Sequence, residues 1–406
     1  MGRSNLLLNG WDCFGAKPAP RNDRSKREKG IVMNSLERFR ATLAFEPVDR
    51  PLLWECGYWA ATLRRWYREG LPERHGIPAD RPDGRGVAPG EALDVAEQVQ
   101  LDPYLEFMPV SLFVHPPFQE EVLEDHGEWV LLRTTHGGTE KQRKDRLSIP
   151  SRVAGPVKSR EDWERFKAER LQPVLEDRLP ADWPELVARY KRREVPLYGP
   201  SCEHWLVLVE LVGLEQLLTM FYDDPDLLRE MIRYLTHFWV TMYDKLLRHV
   251  VPDMMTVGGD FCYKTGPLLS PSAFREFFLP AWQEVTSLMR SYGVPAIIVH
   301  TDGDCRRLIP EFIEGGVTGV HPWEVTNGQN IVDVREAYPR LHIFGGIDKQ
   351  AIARGHESID QELEAKVPFM LQHRGWVPYV DHYVSPDISW PSFFYYRGRL
   401  AKMFGA

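Results

Sequence analysis

Apolar residues recur in two rhythms along this chain. Leu36, Phe39 and Leu43 fall at helical spacing after Asn34, and predict a helix that ends at Glu46-Pro47. Leu52-Leu53-Trp54 is a short apolar run and reads as a strand. Thr62 to Gly70 is helical in pattern and stops at Gly70-Leu71-Pro72. Residues 104–155 alternate instead, as in Trp129-Val130-Leu131-Leu132-Arg133 with Gly137-Gly138 at a turn. They predict a β excursion inserted in a larger fold. A helix over Asp182–Arg193 and a strand over Val195–Tyr198 follow. Asp224-Pro225 places an N-cap before a proline at the first helical position, and opens a long helix to about His249.

From there short apolar runs alternate with capped helices. Met254–Val257, Ala296–Val299, Val317–Val320, Leu341–Phe344 and Trp376–Val380 read as strands. Ser270-Pro271 caps a helix with Phe274, Phe277, Phe278, Trp282, Val285 and Met289 on one face. Further helices are predicted over Arg306–Glu314 and Val332–Tyr338, from a cap at Ser358 to near Gly375, and from about Pro391. Strands that are apolar without alternation are buried on both faces, which calls for a parallel sheet covered by helices. Five consecutive strand–helix units with no Gly-x-Gly-x-x-Gly predict an α/β fold, a (β/α)8 TIM barrel with an N-terminal β insertion.

Composition narrows the function classes. The 406 residues carry 50 Lys+Arg against 58 Asp+Glu, a formal charge of −8. That balance argues against nucleic-acid binding, which needs a basic face. No apolar stretch approaches the roughly 20 residues of a membrane helix. Five scattered cysteines make neither a disulfide framework nor a Cys-x-x-Cys metal site, and a reduced, cytoplasmic setting is expected. Residues 1–33 hold seven basic and three acidic residues and only Leu6-Leu7-Leu8 as an apolar run. They are expected to be a disordered basic extension, with residues 34–406 forming one barrel.

Polar residues stand at the C-terminal end of each predicted strand: Asp260, then His300-Thr301-Asp302-Gly303-Asp304, then His321-Pro322-Trp323-Glu324, then Asp348, then Asp381-His382-Tyr383. In a (β/α)8 barrel these ends meet at one mouth, where active sites sit. Carboxylates and imidazoles gathered there are costly unless paired, solvated or bound to a cation. On a strand, His300 and Asp302 project to one side and offer two metal ligands. His382 is the best third ligand and Glu324 the next. Asp381 and His382 are adjacent, so an extended chain would turn only one of them inward. Asp260, Glu324 and Asp381 are the candidates for catalytic or orienting work. Tyr263 and Lys264 are candidates for contacting an anionic part of a substrate, and Asp348 is a further candidate for substrate binding. Trp54, Tyr58 and Trp59 would wall a planar one, with ordinary core packing as the competing reading.

Taken in order, several runs resemble the uroporphyrinogen decarboxylase superfamily, which includes corrinoid-dependent methyltransferases. They are Phe45-Glu46-Pro47-Val48-Asp49-Arg50-Pro51, Asp260-x-x-Tyr263-Lys264-Thr265-Gly266-Pro267, His300-Thr301-Asp302-Gly303-Asp304, Phe344-Gly345-Gly346-Ile347-Asp348-Lys349, and Asp381-His382-Tyr383-Val384-Ser385-Pro386-Asp387. The resemblance covers roughly residues 34–404 and implies the same barrel. The superfamily's methyltransferases hold zinc with a His-x-Cys pair and a later Cys. Here those positions read His300-x-Asp302 and Asp381-His382, a harder ligand set. The decarboxylases grip a polycarboxylate with arginines near the first strand, where this chain has Trp54-Glu55-Cys56-Gly57-Tyr58-Trp59. Glu55 there would make the mouth repel a polyanion. The resemblance thus implies an enzyme that moves a methyl group from a small O- or N-methyl donor to a corrinoid protein. A divalent metal, zinc first, would be held by His300, Asp302 and His382, and a homodimer is expected. A cofactor-free decarboxylase using Asp260 or Asp302, and a non-catalytic ligand-binding barrel, remain the alternatives.

Overall fold

The computed structural model describes residues 32–146 and 150–406; the basic extension read at 1–33 lies almost wholly outside them. Helix α1 (Ser35–Leu43) starts where Asn34 and Glu37 cap each other's backbone, two first-turn donors satisfied reciprocally. Its Phe39 and Leu43 plug one end of a parallel sheet, packing with Trp54, Met254, Ala296, Ile298, Phe344 and Val377.

The sheet has seven parallel strands. In chain order, interrupted by an insertion, they are β1 (Glu106–Phe107), β6 (Leu197–Tyr198), β7 (Met254–Gly258), β8 (Ala296–His300), β9 (Gly319–Trp323), β10 (His342–Gly345) and β11 (Trp376–Val377). Each pairs with its neighbour in that same order, from β1 at one edge to β11 at the other. Leu52-Leu53-Trp54, read as a strand, forms no ladder. It lies extended in the gap, with Asp102 N–H donating to the Leu53 carbonyl (3.0 Å) and Val384 N–H to that of Gly57 (2.9 Å). The ring thereby closes as a (β/α)8 barrel.

Alternation sorts the side chains. On β8, Ile297 and Val299 join the outer core under the helices, while Ala296 and Ile298 face the barrel interior. His300 is the next inward position, at the C-terminal end. The outer layer includes α2 (His204–Val212), α3 (Pro225–Leu247, with Asp224 as N-cap), α4 (Leu279–Ser291), α5 (Ile309–Glu314), α6 (Ile331–Ala337), α7 (Lys349–Arg354), α8 (His356–His373) and α9 (Trp390–Met403). The helix expected from Ser270 through Met289 is broken at Phe278, because Pro280 restarts it as α4. Ser358 is not a cap: α8 begins two residues earlier after Gly355, and Arg354 Nε donates to the Ser358 hydroxyl (3.1 Å).

The insertion is a four-stranded antiparallel sheet of β2 (Glu121–Asp125), β3 (Trp129–Arg133), β4 (Thr139–Arg143) and β5 (Ser151–Ala154). Arg152 on β5 ties it to the barrel through Glu210 of α2 (2.6 Å). Among the described residues no single helix is long and apolar enough to cross a membrane.

Candidate active site

The strand ends do converge. β7 finishes at Gly258-Gly259, both with positive φ. A side chain on Gly259 would collide with the Leu206 backbone at 2.8 Å, so only glycine lets the chain turn Asp260 into the mouth here. One oxygen of Asp260, one ring nitrogen of His300 and one oxygen of Asp302 all lie within 4.8 Å of one another. The Asp260 Oδ1 to His300 Nδ1 distance is 3.8 Å. Burial alone would lower the His300 imidazole's affinity for a proton. Asp260 foremost, then Glu203, Asp302 and Glu324, lift it above the ordinary histidine range. Burial and the neighbouring Asp260 push the Asp302 carboxyl upward, against His300 and Lys349.

His382 is close but plays a different part from the one expected. The chain turns at 381–383 instead of running extended, so Asp381 and His382 both reach the mouth. Tyr383 N–H donates to His382 Nδ1 at 2.7 Å, and burial keeps the imidazole neutral, well below the usual range. The hydrogen-bond pattern therefore assigns the ring proton to Nε2, which faces Asp302 Oδ1 at 3.5 Å. The residues that gather as a possible three-ligand group are Asp260, His300 and Asp302, with His382 standing beside Asp302.

Glu324 holds the loop. Its Oε2 accepts from Gly303 N–H (2.7 Å), and the buried Gln329 amide donates to the Gly303 and Glu324 carbonyls (2.7 and 3.0 Å). Asp381 is fully buried, and burial pushes its carboxyl up to about 6, against the pull of Lys349 Nζ at 3.5 Å. Lys349 also acts on Asp302 and His382. Lys349 and Glu203 are thus mouth residues that the sequence reading did not select. Lys349 carried a signal, since it directly follows Asp348 in a quoted run. Glu203 follows a two-residue strand and carried none.

Other expectations are corrected. Trp54 is buried beneath the mouth, its indole donating to the Pro103 carbonyl (3.1 Å), and Tyr58 is sealed among Trp66 and Phe393; both side chains are core packing. Asp348 caps α7, accepting from Gln350 N–H (2.8 Å). Glu55 points away from the mouth and is buried with Arg397 of α9. Tyr263 and Lys264 stand exposed on a hairpin, anchored where the Tyr263 carbonyl accepts from Asp304 N–H (2.9 Å).

The donor set suits a divalent cation. Asp260 Oδ1 and Asp302 Oδ1 are buried without hydrogen-bond partners, and two carboxylates with one imidazole form a hard to borderline set.

Comparison with known proteins agrees with this architecture. A methyltransferase from Methanosarcina mazei superposes with a TM-score of 0.56 at 15% identity, covering 92% of this chain and 100% of the other. At that identity the likeness is one of fold. No curated protein sequence matches the chain. The profile of the uroporphyrinogen decarboxylase family matches residues 146–391, more than half of the sequence, and the chain belongs to that family.

Proposed function

We propose that this chain is a methyltransferase-type enzyme. It takes a methyl group from a small O- or N-methyl donor for transfer to a corrinoid carried by a partner protein. The observation that supports this most is the meeting of Asp260, His300 and Asp302 at one point of the barrel mouth. These three residues would hold a divalent ion, zinc the first candidate, which when bound supplies Lewis acidity toward the departing heteroatom.

The protein's own groups do the rest. Glu324 and Gln329 fix the loop that carries Asp302, and His382 stands beside that carboxylate, its Nε2 3.5 Å from Oδ1. Lys349 and Asp381 share one buried corner, and together they can deliver a proton to a leaving oxygen or nitrogen. Tyr263 and Lys264, exposed on the hairpin, would meet a substrate arriving from solvent. The acidic mouth opposes a polycarboxylate, which weighs against the decarboxylase alternative.

Metal analysis of the purified chain tests the reading. One divalent ion per chain is expected, lost in His300→Ala and in Asp260→Ala while the thermal midpoint shows a folded protein. A panel of methyl ethers and methylamines with added cobalamin, pre-reduced to the Co(I) form, should methylate the cofactor as the leaving heteroatom takes up a proton, seen in its absorbance. A folded chain that takes up no divalent ion and methylates no cobalamin would sink the proposal.

A further inference from the structure

The mouth has two unlike halves. One is acidic: Glu203, Asp260, Asp302, Glu324 and Asp381 are all felt by the same few groups, and Lys349 is the cation set among them. Arg152 also reaches Glu203, but its guanidinium is committed to Glu210 at 2.6 Å. A divalent ion at the three-ligand point would offset two negative charges, and an excess would remain. Asp381 shows the imbalance most directly. It is wholly buried, yet its Oδ1 has no hydrogen-bond partner, and the Lys349 ammonium stands off at 3.5 Å.

The other half is aromatic. On β1, Glu106 pairs outward with Arg189, so Phe107 faces inward; on β6, Leu197 joins the outer core and Tyr198 faces inward. Phe107 and Tyr198 meet edge to face, with ring centroids 5.0 Å apart. Trp59 meets Tyr383 in the same way at 5.2 Å, and Tyr383 packs on His382, beside Asp302. Trp59, Phe107 and Tyr198 are only partly buried, and all three pack against the cluster that fills the barrel interior. Aromatic faces next to surplus carboxylate form an environment that attracts an organic cation, whose diffuse charge suits ring quadrupoles better than a small hydrated ion does.

We infer that the substrate is a small organic cation bearing a methylated ammonium head, which lodges between the Trp59, Phe107 and Tyr198 rings and the acidic rim. This rests on the methyltransferase reading for the word substrate, but the binding claim stands apart from turnover.

Calorimetry on the full chain tests it with choline and with 3,3-dimethyl-1-butanol, its neutral carbon isostere. Choline should bind at least about tenfold more tightly, since a desolvated cation–ring contact is worth about 2 kcal/mol. Trp59→Leu and Phe107→Leu should each weaken choline several-fold and leave the isostere unchanged. Trp59→Phe, which keeps a ring, should retain most of the affinity and serves if the leucine variant does not fold. Equal affinities, or no choline binding with and without added zinc, would overturn the inference. So would methyl transfer from a neutral ether by a chain that ignores choline, an outcome that spares the methyltransferase reading. Choline binding without any cobalamin methylation would do the reverse.

Discussion

A residue two places beyond an imidazole is useful only if something aims it. Asp302 lies past the end of β8, where the period-two rule no longer applies, and the loop that carries it is pinned by Glu324. Removing the Glu324 carboxylate should therefore act at a distance. Glu324→Ala is expected to weaken metal affinity by about 10–100-fold, the usual effect of losing an outer-shell partner. It should also cost about 2 kcal/mol of stability as Gly303 N–H loses a charged acceptor. Zinc titration with a chromophoric chelator, alongside a urea curve, reads both; unchanged metal affinity would remove Glu324 from the site. Asp348→Ala should behave oppositely. Losing the α7 cap should cost about 1 kcal/mol and leave metal and ligand affinity as they were.

At the scale of elements, the loop after β8 depends on one glycine. Gly303 has φ +75°, and a Cβ there would sit 2.4 Å from the carbonyl of Tyr263. Gly303→Ala would both strain the backbone and push away the 262–267 hairpin. A loss of at least about 2 kcal/mol is expected, together with loss of the metal, measured by thermal unfolding and metal content. This loop also shows what the sequence could disclose. Apolar runs marked the strands β7 to β10 within one to three residues, because burial on both faces leaves a continuous signal. They also marked the strand-end polar residues that include Asp260, His300 and Asp302. Directions were not legible. Both Trp54 and Trp59 are tryptophans beside one strand, and only packing decides that the first is fully buried while the second stays partly exposed beside Tyr383. Asp348 and Lys349 are neighbours, and the helix N-terminus claims the aspartate because its backbone donors need an acceptor, which leaves the lysine to the site.

For the whole molecule, closure of the barrel rests on a segment without strand pairing. Residues 52–57 are held between the first and last strands largely by one buried side chain. Glu55 Oε1 accepts from Val380 N–H (3.0 Å) and Cys56 N–H (3.2 Å), and Oε2 faces Arg397 Nη1 at 3.4 Å. Arg397 in turn donates to the Trp54 carbonyl (2.8 Å), joining the last helix to the first barrel position. Glu55→Ala should accordingly cost about 1–3 kcal/mol, since it leaves the Val380 and Cys56 N–H groups buried without an acceptor. Burial raises the Glu55 carboxyl to about 7, more than Arg397 lowers it. The folded chain therefore holds a proton there that the unfolded chain releases near pH 4.5. Below that pH both states are protonated and this contribution to stability is fully present. It is lost as pH rises through the window to about 7, at up to about 1.4 kcal/mol per pH unit. Glu55→Gln keeps an acceptor for Val380 and Cys56 and cannot ionise. Urea midpoints between pH 5 and 8 should thus show the variant gaining on the wild type by about 3 kcal/mol as pH rises. Parallel curves would mean that Glu55 is ionised throughout, with Arg397 outweighing burial, and the barrel would then be closed by a true ion pair.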